Sequence, residues 1–403
     1  MHRKYRPKSV KRSVETYSTE TTTSSRLKAP AMAAESPSKD YRIALIGTGR
    51  VGYQFDFGDL PDNHAEAIQQ VQSCELVAGV NRGSDKLDDF GRRFGIDALY
   101  HDCDQMLEEV KPDICIITTH PELHGDMVLA CAAAPSVVAI ICEKPMGLTL
   151  SECDRMIDAC EDSGTLLQMN HNRRWNAEWN LGLQLLKDGA IGELSHILCY
   201  LDGGKPAPWW RSDNEGPLLH DFTHYFDMMD MIAGEVEWVC GITEQRMRPW
   251  AVEDFGAAFM KFNSGVTGMM HATELTSYTD SDFQLRGDNG VIHLASDKVR
   301  LMQPVEDDYE PDTGFQWSSL QEVEVDHPAP VSTYVVALEE LVAALEGKGE
   351  LRSDGRVGRR SLELVIAMYQ SQLAGNQPVH LPLEDRDTAV QALRDAGQFR
   401  DRT

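Results

Sequence analysis

Lys144 stands where an apolar run ends. Val137-Val138-Ala139-Ile140-Ile141-Cys142 reads as a buried strand, and Glu143-Lys144-Pro145 follows at once. In open α/β sheets, ligands bind at the carboxyl ends of the strands. Pro145 biases Lys144 towards an extended conformation and stops a helix from continuing. A protonated lysine at such an edge can stabilise a developing oxyanion, and a lysine deprotonated by burial can act as a base. The plainer reading is a solvated charge pair, because exposed Lys and Glu are the norm.

A second reactive group lies on a helix expected from about Leu218 to Ala233. It comprises His220, Asp221, His224 and Asp227. His220 and His224 are four residues apart and share a face, with Asp227 on the adjoining stripe. Three readings are open: helix-surface polar residues, a His-x-x-x-His metal pair, and acid–base catalysis. The metal reading lacks the glutamate base of zinc proteases and an evident third ligand, so no metal is expected. Histidine suits acid–base work because it titrates near neutrality. His120 and His124 repeat the spacing, but Pro121 fits a helix start. That pair reads as cofactor-pocket residues or as an ordinary helix entry.

These groups need elements to hold them. Arg42–Ile46 reads as a buried strand, followed directly by Gly47-Thr48-Gly49-Arg50-Val51-Gly52 and then a helical pattern. This is the glycine fingerprint of a dinucleotide site, in its required strand–turn–helix setting. The glycines permit a tight turn and close approach of a pyrophosphate at a helix N-terminus. The next strand, Glu75–Val80, ends at the ribose-reading position. NAD-selective domains usually place an acid there, about 20 residues past the glycines. Here Asn81-Arg82 stands instead. Asn81 removes the repulsion of a 2′-phosphate and Arg82 can pair with it, which favours NADP over NAD. Asp113–Thr119 is a further strand, and it leads Thr118, Thr119, His120 and His124 towards the same edge.

Strands alternating with helices over residues 41–165 specify a doubly wound parallel sheet, a Rossmann domain. Leu166–Asn170 reads as its last strand, and His171-Asn172-Arg173-Arg174-Trp175 forms a polar and aromatic cluster after it. The second half, residues 166–385, reads differently. Strand patterns recur at Ser195–Leu201, Val236–Thr243, Phe255–Phe262, Val266–Glu274, Asp282–Arg286 and Gly290–Leu294, several joined by short Gly, Asn and Asp turns. That spacing predicts a largely antiparallel sheet. Helices are expected near 331–345 and 358–373. Residues 1–40 are basic, then rich in Ser and Thr, without apolar periodicity, and are expected to be disordered. Met32 is a candidate alternative start. Residues 386–403 are a charged tail with helical character.

Composition narrows the partners. The 403 residues carry a formal charge of −26, which argues against nucleic acid and against an anionic membrane. No apolar run approaches the roughly 20 residues of a membrane span. Nine cysteines, odd in number and without a Cys-x-x-Cys pair, fit reduced thiols and a cytoplasmic location.

Taken together and in order, the motifs resemble the glucose-fructose oxidoreductase/inositol dehydrogenase/rhizopine catabolism protein (Gfo/Idh/MocA) family. The carriers are the Gly47–Gly52 turn, Glu143-Lys144-Pro145, Asn172–Trp175, Lys187–Gly192, Gly216–Asp227 and the ending Ala374–Leu383. The resemblance covers about residues 41–385. It implies a C-terminal α/β domain with an open, mostly antiparallel sheet, and homodimers or homotetramers packed through those sheets. It implies a sugar, inositol or related polyol substrate and reversible hydride transfer with NAD or NADP. Cofactor contacts fall on Gly47, Thr48, Gly49, Arg50, Val51, Asn81, Arg82, Thr118, Thr119, His120, His124, Glu143 and Lys144. By the same pattern Lys144 orients nicotinamide and substrate, His224 is the acid–base partner, and the segment Trp209-Trp210-Arg211 reaches the substrate. Arg173 and Trp175 join that substrate side. The chain departs from the family at one place: His220 stands where the family has an aspartate. Some relatives are NAD-dependent glycosidases that oxidise transiently, and a non-catalytic dinucleotide-binding regulator is the remaining alternative.

Overall fold

A computed structural model describes residues 40–56, 58–203, 214–247, 251–295, 298–305 and 318–399. Trp209, Trp210, Arg211 and the tail before residue 40 lie outside the described residues.

The first half builds a parallel sheet from β1 (Tyr41–Ile46), β2 (Cys74–Val80), β3 (Leu99–Tyr100), β4 (Ile114–Ile117), β5 (Ala139–Cys142) and β6 (Leu166–Met169). Their spatial order is β3-β2-β1-β4-β5-β6. The chain reverses direction across the sheet between β1 and β4, which opens a crevice at their carboxyl ends. Helices α1 (His64–Gln70), α2 (Ser84–Phe94), α3 (Cys103–Val110), α4 (His124–Ala133) and α5 (Leu150–Ser163) connect the strands. The four residues of β4 and the four of β5 are all buried, because both sheet faces are covered. One face packs Ile43, Leu45, Ile116 and Ile141 against Ile68 of α1. The other packs Ala44, Ile46, Ile117 and Ile140 against Val128 and Met156.

The first connection departs from the expected regular helix. After the glycine turn, Arg50–Gln54 makes a single π-helical turn, and α1 begins only at His64. Asn63 caps α1, its side chain accepting from Glu66 N–H, while its amide donates to the Phe55 carbonyl at 2.9 Å. The intervening segment is thereby tied to the helix start.

The second half follows α6 (Ala177–Lys187) with β7 (Leu194–Asp202), α7 (Thr223–Ala233), β8 (Val236–Glu244), β9 (Phe255–Phe262), β10 (Thr267–Thr273), β11 (Asp280–Gly287) and β12 (Gly290–Leu294). Short strands β13 (Val299–Pro304), β14 (Leu320–Val323) and β15 (Val379–His380) extend it, with α8 (Thr333–Leu345), α9 (Gly355–Leu373) and α10 (Val390–Asp395). The nine-stranded sheet runs β14-β13-β12-β11-β7-β10-β9-β8-β15. It is antiparallel except where β10 lies parallel to β7. That pair is long-range, so turn spacing alone does not reveal it. Burial alternates along β8 and β9, the mark of a sheet with one covered face. On the open face, Phe259 and Met269 remain 40% and 46% exposed.

Two C-terminal helices bind the halves together. Leu338, Leu341 and Val342 of α8 complete the core on the α1 face of the parallel sheet. Helix α9 packs its Met368 against Gly241 of β8, while its Gly355 lies against Leu167 of β6. The last stretch is not a loose tail: Val390, Leu393 and Phe399 are buried, and Arg394 donates to Ala251 O.

Asp227 of α7 is 1% exposed, and the single Nε–H of Arg174 is shared between its two carboxylate oxygens, each 2.9 Å away, with Arg174 Nη2 also 2.9 Å from Oδ1. A buried guanidinium is tolerated because a carboxylate faces it. Replacing Asp227 by Ala leaves that cation buried without its counter-charge. Urea denaturation should then show a loss of about 3–5 kcal/mol. A loss under about 1 kcal/mol would show that α7 is seated by packing alone.

Candidate active site

The crevice at the carboxyl ends of β1, β2, β4 and β5 widens into a cleft of about 1310 Å³. Its wall is made by Gly47, Gly49, Arg50 and Val51 at one end and by Lys144, His220 and His224 at the other. Gly47 has φ +102°, and a Cβ there would lie 2.8 Å from the Thr118 carbonyl carbon, so only glycine fits. Thr118 locks the turn by donating its hydroxyl to Gly47 O. A Cβ at Gly49 would meet no atom within 4 Å, so this glycine leaves open approach to the backbone.

The ribose-reading corner is built from Asn81, Arg82, Lys86 and His101. Asn81 turns its amide back to Gly83 O at 2.9 Å, while its own carbonyl meets His101 Nδ1 at 2.8 Å. Arg82 and Lys86 are exposed at the mouth. No acid stands at the end of β2.

Lys144 leaves the end of β5 through a cis peptide to Pro145. Glu143 beside it also borders the cleft, but its side chain is buried. It is 6% exposed, and its carboxylate meets His64 Nε2 at 3.0 Å and accepts from Asn170 at 2.6 Å. Burial alone would raise its pKa, but His64, then the Lys144 charge, then Asn170 outweigh that and hold it below the usual carboxylate range. Tyr334 of α8 stacks edge-on against His64 with ring centroids 4.8 Å apart, and it lines the cleft beside them.

Across the cleft, the chain enters α7 through a π-helical turn, Leu218–Phe222, rather than a regular helix. Lys144 Nζ donates to the His220 carbonyl, which ties β5 to that turn. Both His220 and His224 still face the cleft. His224 is 8% exposed, and its Nδ1 is buried without a hydrogen-bond partner. Burial, followed by the charges of Arg173 and Lys144, pushes its pKa well below the ordinary histidine value. Its ring is therefore neutral near pH 7 and can accept a proton.

Glu215 completes this wall. Its carboxylate lies 3.4 Å from His220 Nδ1 and 3.9 Å from His120 Nδ1. Burial opposes its charge, but the two histidines and Lys144 hold the carboxyl far below its usual range. The same contact raises the pKa of His120.

Several expected site residues sit elsewhere. Trp175 is buried in the core and donates its indole N–H to Glu340 at 3.0 Å, so it is not part of the cleft wall. Arg173 lies over the Tyr225 ring at 4.7 Å and reaches His224 through its charge, without lining the cleft. His124 is fully buried, its ring nitrogens 2.9 Å from Pro145 O and 3.0 Å from Thr119 O. It braces the cleft from behind. Thr48 is buried as well, whereas Thr119 and His120 line the cleft. Sequence reasoning missed His64, Asn170, Glu215 and Tyr334. His64 and Tyr334 come from distant segments that no local motif links to Lys144. Glu215 sits one residue before the recognised Gly216–Asp227 stretch.

Thr119 Oγ1 and Asn170 Oδ1 on the cleft wall are also buried without partners. Buried polar atoms normally find one. A glycine turn, a basic ribose corner and unpaired polar atoms at the far end fit a bound nicotinamide dinucleotide. The described residues contain no group of histidines, cysteines and carboxylates suited to a metal ion. No helix among them is long and apolar enough to cross a membrane.

Fold and cleft together define a dinucleotide-dependent oxidoreductase. Residues 41–171 match the oxidoreductase family with an NAD-binding Rossmann fold, and residues 183–293 match the GFO/IDH/MocA C-terminal domain; the chain belongs to this family. It is 28% identical over 368 residues to a D-apiose dehydrogenase of Paraburkholderia graminis, covering 87% of this chain and 93% of that one. It is 26% identical to a myo-inositol 2-dehydrogenase of Thermotoga maritima, over 68% of this chain and 81% of the other. The fold matches the WlbA dehydrogenase of Bordetella pertussis, solved with NADH and UDP-GlcNAcA, at TM-score 0.69 and 24% identity, over 86% and 100% of the two chains. It also matches the aldose-aldose oxidoreductase of Caulobacter crescentus at TM-score 0.72 and 20% identity, over 85% and 100%.

The depressed pKa of His224 has a sign that can be checked. The unfolded chain binds a proton at this residue below about pH 6.5, and the folded protein resists it. Stability should therefore decline as the pH falls below that value. In a proton NMR titration the His224 ring signal should keep its neutral position as the pH falls through the ordinary histidine midpoint. A midpoint at 6.5 or above would show that the ring is solvated.

Proposed function

We propose that this protein transfers a hydride reversibly between a nicotinamide dinucleotide and a secondary alcohol carbon of a sugar, inositol or related polyol. The observation that carries this reading is the placement of a buried His224 and of Lys144 together at one end of the dinucleotide cleft. In the oxidative direction the alcohol loses hydride from carbon and a proton from oxygen, leaving a ketone. A bound nicotinamide supplies the hydride acceptor. His224 takes the hydroxyl proton. The Lys144 ammonium faces the oxygen as negative charge develops and stabilises it by hydrogen bonding. Glu143 and Glu215 are the carboxylates that the Lys144 charge acts on.

Arg82 and Lys86 favour NADP over NAD, since two cations and no acid follow the end of β2 on the cleft, where Asp102 and Asp104 also line the wall. The open face of the nine-stranded sheet, with Phe259 and Met269 exposed, supports a homodimer or homotetramer packed through that face. Light scattering should return a mass of two or four chains. A monomer at micromolar concentration would refute that assembly.

A panel of sugars and polyols with NAD and NADP, followed at 340 nm, tests the reaction. Net reduction of dinucleotide is expected, faster with NADP. Lys144→Ala should lower kcat at least 1000-fold while dinucleotide still binds. Retained turnover would remove Lys144 from the mechanism. Release of sugar from an aryl glycoside without net reduction would indicate transient oxidation instead.

A further inference from the structure

Glu215 is a buried carboxylate that bridges two histidines from different parts of the chain. His120 follows β4 and belongs to the dinucleotide side. His220 lies on the π-helical turn before α7 and belongs to the other wall. Glu215 Oε2 is 3.9 Å from the first ring and Oε1 is 3.4 Å from the second. Both contacts are made at Nδ1: His220 lies within hydrogen-bond reach of the carboxylate, and His120 at 3.9 Å stands at ion-pair distance. A carboxylate in this place sets the tautomer and orientation of a histidine, as it does in catalytic triads and metal sites.

We propose that Glu215 is the positioning residue of this active site, fixing the His220 ring through Nδ1 and joining the two walls of the cleft through His120. The proposal rests on the hydride-transfer reading above and deepens it. The Lys144 ammonium is anchored on the backbone carbonyl of His220, so whatever fixes His220 also fixes the lysine. Glu215 thereby acts at one remove from the chemistry, holding both Lys144 and His220 against the neutral His224. It also supplies a fixed negative charge to this wall, where position 220 carries an imidazole.

Charged groups among the described residues act on the bridge. Arg82 and Glu122 act on His120, Lys144 acts on Glu215, and Asp221 Oδ1 stands 3.9 Å from His220 Nε2. Among the forces on His120, the Glu215 contact is the largest and raises its pKa. Arg82 opposes it. Glu215→Gln keeps the shape and removes the charge, so the His120 titration should move to lower pH.

Two measurements test this. In a histidine NMR titration of the full chain, Glu215→Gln should lower the His120 midpoint by at least half a pH unit. An unchanged midpoint would overturn the bridge, and this readout needs no substrate. In turnover, Glu215→Gln should lower kcat about 10- to 100-fold and shift the pH profile, with dinucleotide Kd within about twofold of the parent. Glu215→Asp should recover part of kcat. A Glu215→Gln protein with an unchanged profile and unchanged kcat would overturn the positioning role. If Lys144→Ala is inactive while Glu215→Gln behaves as the parent, only the role of Glu215 fails. If Lys144→Ala stays fully active, the hydride-transfer reading fails instead. Should Glu215→Gln not fold, Glu215→Ala is read in the same titration: a lowered His120 midpoint supports the bridge and an unchanged one overturns it.

Discussion

Lys144 is a cation that leaves the end of a buried strand between two buried carboxylates, and the site depends on how that charge is held. Glu143 lies beneath it, fastened by His64 and Asn170. Glu215 lies across the cleft, fastened by His120 and His220. A carboxylate in a low-dielectric interior is costly unless it is paired and hydrogen-bonded. Both are, and both stay ionised for that reason. Each pair draws on residues distant in sequence, so the charge pattern exists only when both halves of the fold are in place.

The architecture serves this arrangement. The parallel sheet brings the glycine turn, Thr119 and Lys144 to one edge because every strand ends there. The π-helical turn at Leu218–Phe222 presents the carbonyl of His220 to Lys144 instead of burying it wholly within a regular helix. Helix α8 returns to the first sheet and sets Tyr334 beside His64, so the C-terminal region helps build the wall that the N-terminal motifs define. Arg174 and Asp227 seat the helix that carries His224, and His124 braces the turn that carries Lys144. These neighbours do not line the cleft, yet they seat the elements whose residues do.

Much of this was legible from local pattern. The run ending in Glu143-Lys144-Pro145, the glycine turn after β1 and the absence of an acid after β2 all place their residues on the cleft. The strands Phe255–Phe262 and Gly290–Leu294 follow from alternation and turn residues with the same ends that the structure has. Trp175 misled because polar and aromatic clusters look alike in sequence whether they line a cleft or a core. Here the partner that draws the indole inward is Glu340, 165 residues away. His124 misled for a similar reason: the carbonyl it meets on Pro145 becomes a neighbour only when β4 and β5 pair.

The sequence by itself determined the fold class and the dinucleotide turn, because those depend on short-range periodicity, glycine geometry and strand ends; the pairing of Lys144 with a histidine-bearing helix came from the family resemblance, since it joins residues 76 positions apart. The tertiary structure alone decided where the negative charge of the site comes from. Position 220 carries histidine, and no local rule points to a residue five places earlier as the acid. Glu215 reaches the cleft because a π-helical turn and the His120 loop converge on it from separate parts of the chain. Long-range electrostatic pairing of that kind has no signature in a single sequence.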